Sequence, residues 1–309
     1  MENNRWGIIY CPKSGRSITA DRRWTHIKRG LKACDIDYDH VRSRHPGDVP
    51  ELMNDMIADG YRTIIIVGGD SALNDAVNSL MLTDAATRNQ VALGLVPNGM
   101  MNDFAHFWDL HAGDPADALL RLKNGRHRLL DVGCVRYTNA AGESCRRYFL
   151  NCVNVGFVAA IMDLRRRTHH VFGSRTLSFL FSFILLIFQR MEYHMRMKIN
   201  TDTIDRGVMT LCVGNATGYG QTPGAVPYNG QLDVSLVCQP KTLQLFEGIY
   251  LFLRGKFLNH RSMRPYRTRE VMIAQTGGAP ISIDGRLIRA ARGNVDITII
   301  PDAINFVAS

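Results

Sequence analysis

Thr63-Ile64-Ile65-Ile66-Val67-Gly68-Gly69-Asp70-Ser71-Ala72 is a β-branched run that stops on a glycine pair and passes into the helix-forming stretch Leu73–Met81. Five strand-favouring residues without a polar alternation suit a strand buried on both faces, as in a parallel sheet. The glycines let backbone N–H groups approach a phosphate with no side chain in the way, and the helix start adds partial positive charge. Working outward, Val91–Val96 stops at Pro97-Asn98-Gly99, and Trp6–Tyr10 stops at Pro12-Lys13-Ser14-Gly15. An isolated Gly-Gly reads simply as a tight turn. Three such turns at the ends of strands sharing one sheet edge read as a nucleotide cradle, because ligands of open parallel sheets bind outside the carboxyl ends of the strands.

The first 130 residues continue that rhythm. A short strand is expected at Asp37–Val41, and helices at Pro50–Ala58, Asn102–Trp108 and Pro115–Leu122, with an amphipathic stretch running to Leu31. Repeated β-turn-α units predict an α/β domain, a parallel sheet with helices on both faces. After Asp131 the texture changes. Strands are expected at Val132–Tyr137, Arg147–Val153, His194–Ile199, Gly207–Val213, Gln231–Val237, Glu270–Ala274, Ile281–Ile283 and Asp296–Ile300. Helices are expected at Val158–Arg167, Thr176–Phe188 and Leu243–Phe252. The expectation is a nucleotide-binding domain over 1–130 and a β-rich, sandwich-like C-terminal domain over 131–309.

Composition is that of a globular protein, 46% hydrophobic and 21% charged. Net charge is +9, and its distribution is uneven: residues 1–131 carry 16 Lys+Arg against 17 Asp+Glu, residues 132–309 carry 21 against 11. The excess favours an anionic membrane face as partner of the second domain, at roughly 1 kcal/mol per basic residue near anionic lipid; solvation alone is the plainer reading. No nucleic-acid partner is expected. Seven scattered cysteines (Cys11, Cys34, Cys134, Cys145, Cys152, Cys212 and Cys238) form no C-x-x-C pair, which argues against a zinc ribbon or disulfide framework and for a reducing cytoplasm. No signal peptide is read at the start. The apolar segment Thr176–Phe188 has 13 residues, short of the ~20 that a helical span needs. It reads as a core helix or one lying against lipid beside Arg165-Arg166-Arg167 and Arg175, so no transmembrane span is expected.

Neither G-x-x-x-x-G-K-[ST] nor G-x-G-x-x-G occurs, which excludes the P-loop and the dinucleotide fingerprint. There is no H-E-x-x-H, and His169-His170 reads as surface. A rival reading takes Gly69-Asp70-Ser71-Ala72 as a nucleophile elbow, with Asp233 and His260 following in triad order and Ser71 as the nucleophile of a serine hydrolase. Leu73 stands at the elbow's final glycine, and no H-G-G oxyanion sequence is present.

At these residues the chain resembles the diacylglycerol kinase catalytic family, which includes bacterial diacylglycerol kinases and sphingosine kinases. Cys11-Pro12-Lys13-Ser14-Gly15 aligns with that family's N-P-x-S-G, Gly68 through Asp75 with G-G-D-G-T-x-N-E, and Pro97 through Ala105 with P-x-G-T-x-N-D-F-A. Gly156-Phe157 after Asn151, Gly214-Asn215, Pro223-Gly224-Ala225 with Asn229 through Val234, and Asp284-Gly285-Arg286 continue the match in order. NAD kinases share the G-G-D-G turn and the two-domain plan; the N-D-F-A stretch and the Pro12–Gly15 turn favour the lipid-kinase branch. The resemblance implies ATP in a cleft between the domains, Mg²⁺ on its phosphates, and γ-phosphoryl transfer to a lipid hydroxyl by a cytoplasmic, peripherally membrane-associated enzyme. It implies a nucleotide site comprising Cys11, Pro12, Lys13, Ser14, Gly15, Ser43, Gly68, Gly69, Asp70, Ser71, Ala72, Leu73, Asn74, Asp75, Gly99, Met100, Asn102 and Asp103. Asp284 and Asp70 are the expected catalytic carboxylates, Asp284 as base and Asp70 as acceptor-orienting group or Mg²⁺ ligand.

This chain departs from the family pattern at several of these places. Cys11 replaces Asn, Ser71-Ala72 replaces Gly-Thr, Met100 replaces Thr, Asn229 replaces the Asp of a structural-metal site, and Arg286 replaces the Glu of D-G-E. An arginine, with a pKa above ~12, is no general base. An active kinase using Asp284 and a catalytically weak binder of nucleotide or lipid are therefore both open. Asp284-Gly285 read without the family is a hairpin turn.

Overall fold

A computed structural model describes residues 5–12, 17–45, 47–99, 102–172, 192–238 and 262–308. The chain divides into two compact units, residues 1–132 with 301–309, and residues 133–300.

The first unit runs β1 (Trp6–Tyr10), α1 (Ser17–Ala33), β2 (Tyr38–Arg42), α2 (Val49–Ala58), β3 (Thr63–Gly68), α3 (Asp70–Leu82), α4 (Ala85–Gln90), β4 (Ala92–Pro97), α5 (Asp103–Phe107) and α6 (Pro115–Asn124). The strands pair in parallel in the order β2-β1-β3-β4. β1 and β3 are apolar because both their faces are covered: Ile8, Ile9, Ile64, Ile65, Ile66 and Val67 are fully buried, each such side chain contributing about 1.5–3 kcal/mol. From β1 the chain crosses to β2 on one side, and from β3 to β4 on the other. Right-handed crossovers then put α1 on one face and α2 and α3 on the opposite one, and the helices pack accordingly, α1 on α6 and α2 on α3. The reversal makes the gap between the carboxyl ends of β1 and β3 the topological switch point, where such sheets bind ligands. Asp114 caps α6 by accepting from the N–H groups of Ala116 and Asp117 at 3.1 and 3.0 Å, a device worth about 1 kcal/mol.

The last residues, expected in the second domain, belong to the first unit. Asn305 and Phe306 pair in parallel with Ala92 and Leu93, and Phe306 packs edge-on to Phe104 and flat on Trp108. A short parallel strand with no helix before it carries no periodicity that would reveal its partner.

The second unit contains β5 (Arg126–Asn139, entering from the first unit), β6 (Ser144–Phe149), β7 (Cys152–Gly156), α7 (Phe157–Phe172), β8 (Tyr193–Ile199), β9 (Asp202–Val208), β10 (Thr210–Gly214), β11 (Leu232–Val237), β12 (Met263–Thr268), β13 (Glu270–Gln275), β14 (Ile281–Ile283), β15 (Arg286–Ile288) and β16 (Ala290–Ala308, returning to the first). One antiparallel sheet has the order β12-β11-β10-β7-β14-β15, while β16, β13, β8 and β9 line up antiparallel in another. Alternate residues of both, among them Val153, Val155, Leu211, Val234, Ile273, Met197 and Ile297, form one apolar core. The expected β sandwich is what is observed.

Arg147–Val153, which reads as one strand, is two. β6 pairs with β5, and β7 with β10 and β14 in the other sheet. The break falls at Leu150-Asn151, whose N–H groups bond a side-chain carboxylate instead of a neighbouring strand. Lys13, Ser14, Gly15, Met100 and the expected helices Thr176–Phe188 and Leu243–Phe252 lie outside the described residues. Among the described residues no helix is long and apolar enough to cross a membrane.

Candidate functional site

Three strand-end turns of the first unit are tied together by backbone and amide hydrogen bonds. β3 ends at Gly68; Gly69, extended at φ −105°, is the N-cap of α3 and offers no side chain there. A Cβ on Gly69 would stand 2.8 Å from the Cα of Gly99, and one on Gly99 would stand 2.6 Å from the Cα of Gly69. Only glycine at both positions lets the turns after β3 and β4 touch. Asn102, left-handed at φ 51°, closes the turn after β4, the third of the three, by accepting from Gly99 N at 2.7 Å and donating to Gly99 O at 3.1 Å. Asn98, absent from the set expected from sequence, donates its backbone N–H to Gly68 O at 2.6 Å and its Nδ2 to Cys11 O at 3.0 Å. Cys11 N in turn bonds Val67 O.

Cys11, Ser43 and Asp75 come together beside this knot. Burial pushes the Cys11 thiol up to about 11, a hydrogen bond with Ser43 acting the other way and the Asp75 charge adding to the rise. Pro12 follows Cys11 at the same sheet edge. Leu73 and Asn74, also expected to contact ligand, are buried side chains of α3, and Asn74 accepts from Asn78 Nδ2. What they face is the protein. Ser71 is exposed and Ala72 half-buried at the helix start.

Asp70 has a defined structural task. Its two oxygens accept from Asp103 N and Phe104 N, each at 3.2 Å, and so cap α5. Burial raises its carboxyl above the usual range, and those two amides oppose the rise. Among the described residues no group of three His, Cys, Asp or Glu side chains is placed to hold a metal.

In the second unit, Asp284 and Gly285 are the central pair of the β14–β15 hairpin, at φ 44° and 78°, the backbone of a type I′ turn. The carboxylate of Asp284 accepts from Leu150 N at 2.9 Å, Asn151 N at 3.0 Å and Cys152 N at 2.9 Å. It thereby makes the strand break described above. Arg286 follows, half-buried at the start of β15. Asn154 and Ser282 stand opposite each other on β7 and β14. Both are fully buried. Asn154 Nδ2 donates to Cys152 Sγ at 3.2 Å and Ser282 Oγ to Met162 Sδ at 3.3 Å, sulfur being a weak acceptor. Gln221 Nε2 donates to Asn154 Oδ1 at 2.7 Å, and its buried Oε1 has no partner among the described residues. Sequence reasoning missed this group, since only the strand register brings it together.

Ser71 is an ordinary helical residue without the left-handed backbone of a nucleophile elbow. Asp233 is paired with Arg267 at 2.7 Å, and His260 lies outside the described residues. Asn229, at the expected metal position, accepts from Gln231 N at 2.9 Å.

Comparison with known proteins also divides the chain in two, with the last residues counted in the C-terminal part. Residues 5–135 match the diacylglycerol kinase catalytic domain, and residues 151–308 match the YegS C-terminal NAD kinase beta sandwich-like domain. A probable lipid kinase YegS-like of Pseudomonas syringae pv. tomato is 30% identical over 256 residues, 77% of this chain and 74% of that one. The diacylglycerol kinase of Bacillus subtilis is 29% identical over 138 residues, 44% of each chain; the alignments to Bacillus subtilis relatives span half of those proteins or less. A crystal structure of a diacylglycerol kinase from Bacillus anthracis shares the fold, with a TM-score of 0.68 and 14% identity over 99% of this chain and 97% of that one.

Proposed function

This chain belongs to the diacylglycerol-kinase-like family of lipid kinases, and on that premise we propose that it transfers the γ-phosphoryl group of ATP to a lipid hydroxyl. The observation that carries the reading is the contact between Gly69 and Gly99 at the N-terminus of α3. Two side-chain-free turns meet there, at the ends of β3 and β4 beside the switch point of a parallel sheet, a place suited to a polyphosphate. The backbone N–H groups of Gly69 and Ser71 would hold the phosphates, those of Ala72 and Gly99 being taken by Gly69 O and Asn102 Oδ1, with Pro12, Lys13, Ser14 and Gly15 from the first turn, Met100 from the third, and Cys11, Ser43 and Asp75 on the nucleoside side.

Bound ATP with its Mg²⁺ supplies the phosphoryl group and the charge neutralisation. Mg²⁺ is commonly held by one or two carboxylates together with substrate phosphates and water, which suits a site where Asp70 is the single carboxylate proposed as ligand. Asp70 also fixes α5 and with it the Asn102-Asp103 end of the third turn. From the second unit, Asp284 is the proposed proton acceptor, and Asn154, Ser282 and Gln221 are the proposed partners of the acceptor's hydroxyls. Phosphoryl transfer through a loose transition state asks chiefly for positioning and charge stabilisation. A carboxylate fixed by three amides meets the first demand. The basic second unit would bring the enzyme to the cytoplasmic, anionic face of a membrane.

A second reading is favoured by one observation: three of the roughly four acceptor positions of Asp284 are taken by backbone amides, and Arg286 replaces the neighbouring acid. On that reading the protein binds nucleotide or lipid with little transfer. Incubation with γ-labelled ATP and vesicles of membrane-lipid extract separates the two. Labelled lipid that disappears in Asp284→Asn supports the kinase; nucleotide binding without labelled lipid on any extract supports the binder. Labelling of Ser71 by a fluorophosphonate probe would count against both.

A further inference from the structure

Asn98 holds the three turns together, and its carboxamide has a surplus. The residue is 1% exposed. Its orientation is fixed by chemistry, because Cys11 O can only accept and Nδ2 must therefore face it at 3.0 Å. Oδ1 is left buried, with no partner among the described residues. Bracing the turns uses only donors, the backbone N–H to Gly68 O and Nδ2 to Cys11 O. A hydrophobic residue could not supply the second bond, and nothing in the brace explains the acceptor. A buried acceptor without a donor is costly.

Resting on the ATP reading above, we propose that Asn98 is the positioning residue of the nucleotide site and that its Oδ1 accepts a hydrogen bond from the nucleoside part of ATP. The partner cannot be a phosphate, since two oxygens bearing lone pairs repel. It must carry an N–H or O–H, which in ATP means the 6-amino group or a ribose hydroxyl. The phosphates go instead to the donors of the Gly69 and Gly99 turns, and Asn98 sets the distance between the two ends of the molecule.

The test is calorimetric binding of ATP, purine riboside triphosphate (which lacks the 6-amino group) and 2′- and 3′-deoxy-ATP to the wild type, Asn98→Leu and Asn98→Asp. The wild type should bind ATP about tenfold more tightly than one of the analogues, the range of one neutral hydrogen bond. In Asn98→Leu, every nucleotide should weaken through the lost bond to Cys11 O, and ATP should bind no more tightly than that analogue, so the discrimination collapses. Asn98→Asp keeps an acceptor but loses the donor to Cys11 O; it should weaken every nucleotide while preserving the discrimination. A merely structural brace would weaken all nucleotides alike in Asn98→Leu and leave their ratios unchanged, which would overturn the proposal alone. Absence of any nucleotide binding by the wild type would overturn the ATP reading and this inference with it.

Discussion

Replacing Asp284 by asparagine separates what the carboxylate braces from what it catalyses. Asparagine keeps one oxygen for the N–H groups of Asn151 and Cys152, which share Oδ1 at 3.0 and 2.9 Å, and turns an NH₂ toward Leu150 N, which Oδ2 accepted at 2.9 Å. One charge-assisted bond is lost and two weaken to neutral ones, a combined cost of about 3–5 kcal/mol. The backbone adds little, because asparagine tolerates the left-handed φ of 44°. For a unit of this size the melting temperature should fall by roughly 10 °C, read by calorimetry on the purified full chain. Below that transition the variant is folded, and its lipid phosphorylation should be slower by about 10²–10⁴-fold if Asp284 takes the proton. A variant melting within a degree of the wild type would refute the bracing argument. A folded variant with undiminished transfer would refute the base.

Gly69→Ala places a methyl 2.8 Å from Gly99 Cα; overpacking should cost about 1–3 kcal/mol and remove the thermal protection given by ATP. Gly113→Ala, where nothing lies within 4 Å, should change neither melting nor nucleotide protection. The Cys11 thiol, pushed up to about 11 by burial, should react slowly with iodoacetamide at pH 8. Because its folded pKa is raised, its contribution to stability is complete below the ordinary thiol range and is lost as pH rises through about 11; Cys11→Ala should flatten that alkaline loss, as followed by urea unfolding between pH 8 and 11.

The local parts of this structure were legible in the sequence. Thr63–Gly68 and the helix after it are specified by neighbours, a β-branched run, two glycines and a helix former, so both the strand and its glycine turn could be read directly. What stayed hidden is long-range. The break between β6 and β7 depends on Asp284, more than 130 residues away. The return of residues 301–309 depends on pairing with β4. Asn154 and Ser282 meet through strand register, and Asn98 matters through Cys11, 87 residues distant. Asp284-Gly285 shows the overlap of the two kinds of signal: the dipeptide is the hairpin turn its local reading suggests, and the same carboxylate organises a distant strand end.

An active lipid kinase moves phosphorus from ATP to a lipid. That transfer is tested most directly by incubating the protein with Mg²⁺, γ-¹⁸O-labelled ATP and mixed membrane-lipid vesicles, then following the label by mass spectrometry of the extracted lipids. Label is expected in a lipid phosphomonoester, formed in proportion to ADP and reduced in Asp284→Asn. Label recovered only as inorganic phosphate, or no ADP formed by protein that binds ATP, would contradict that transfer.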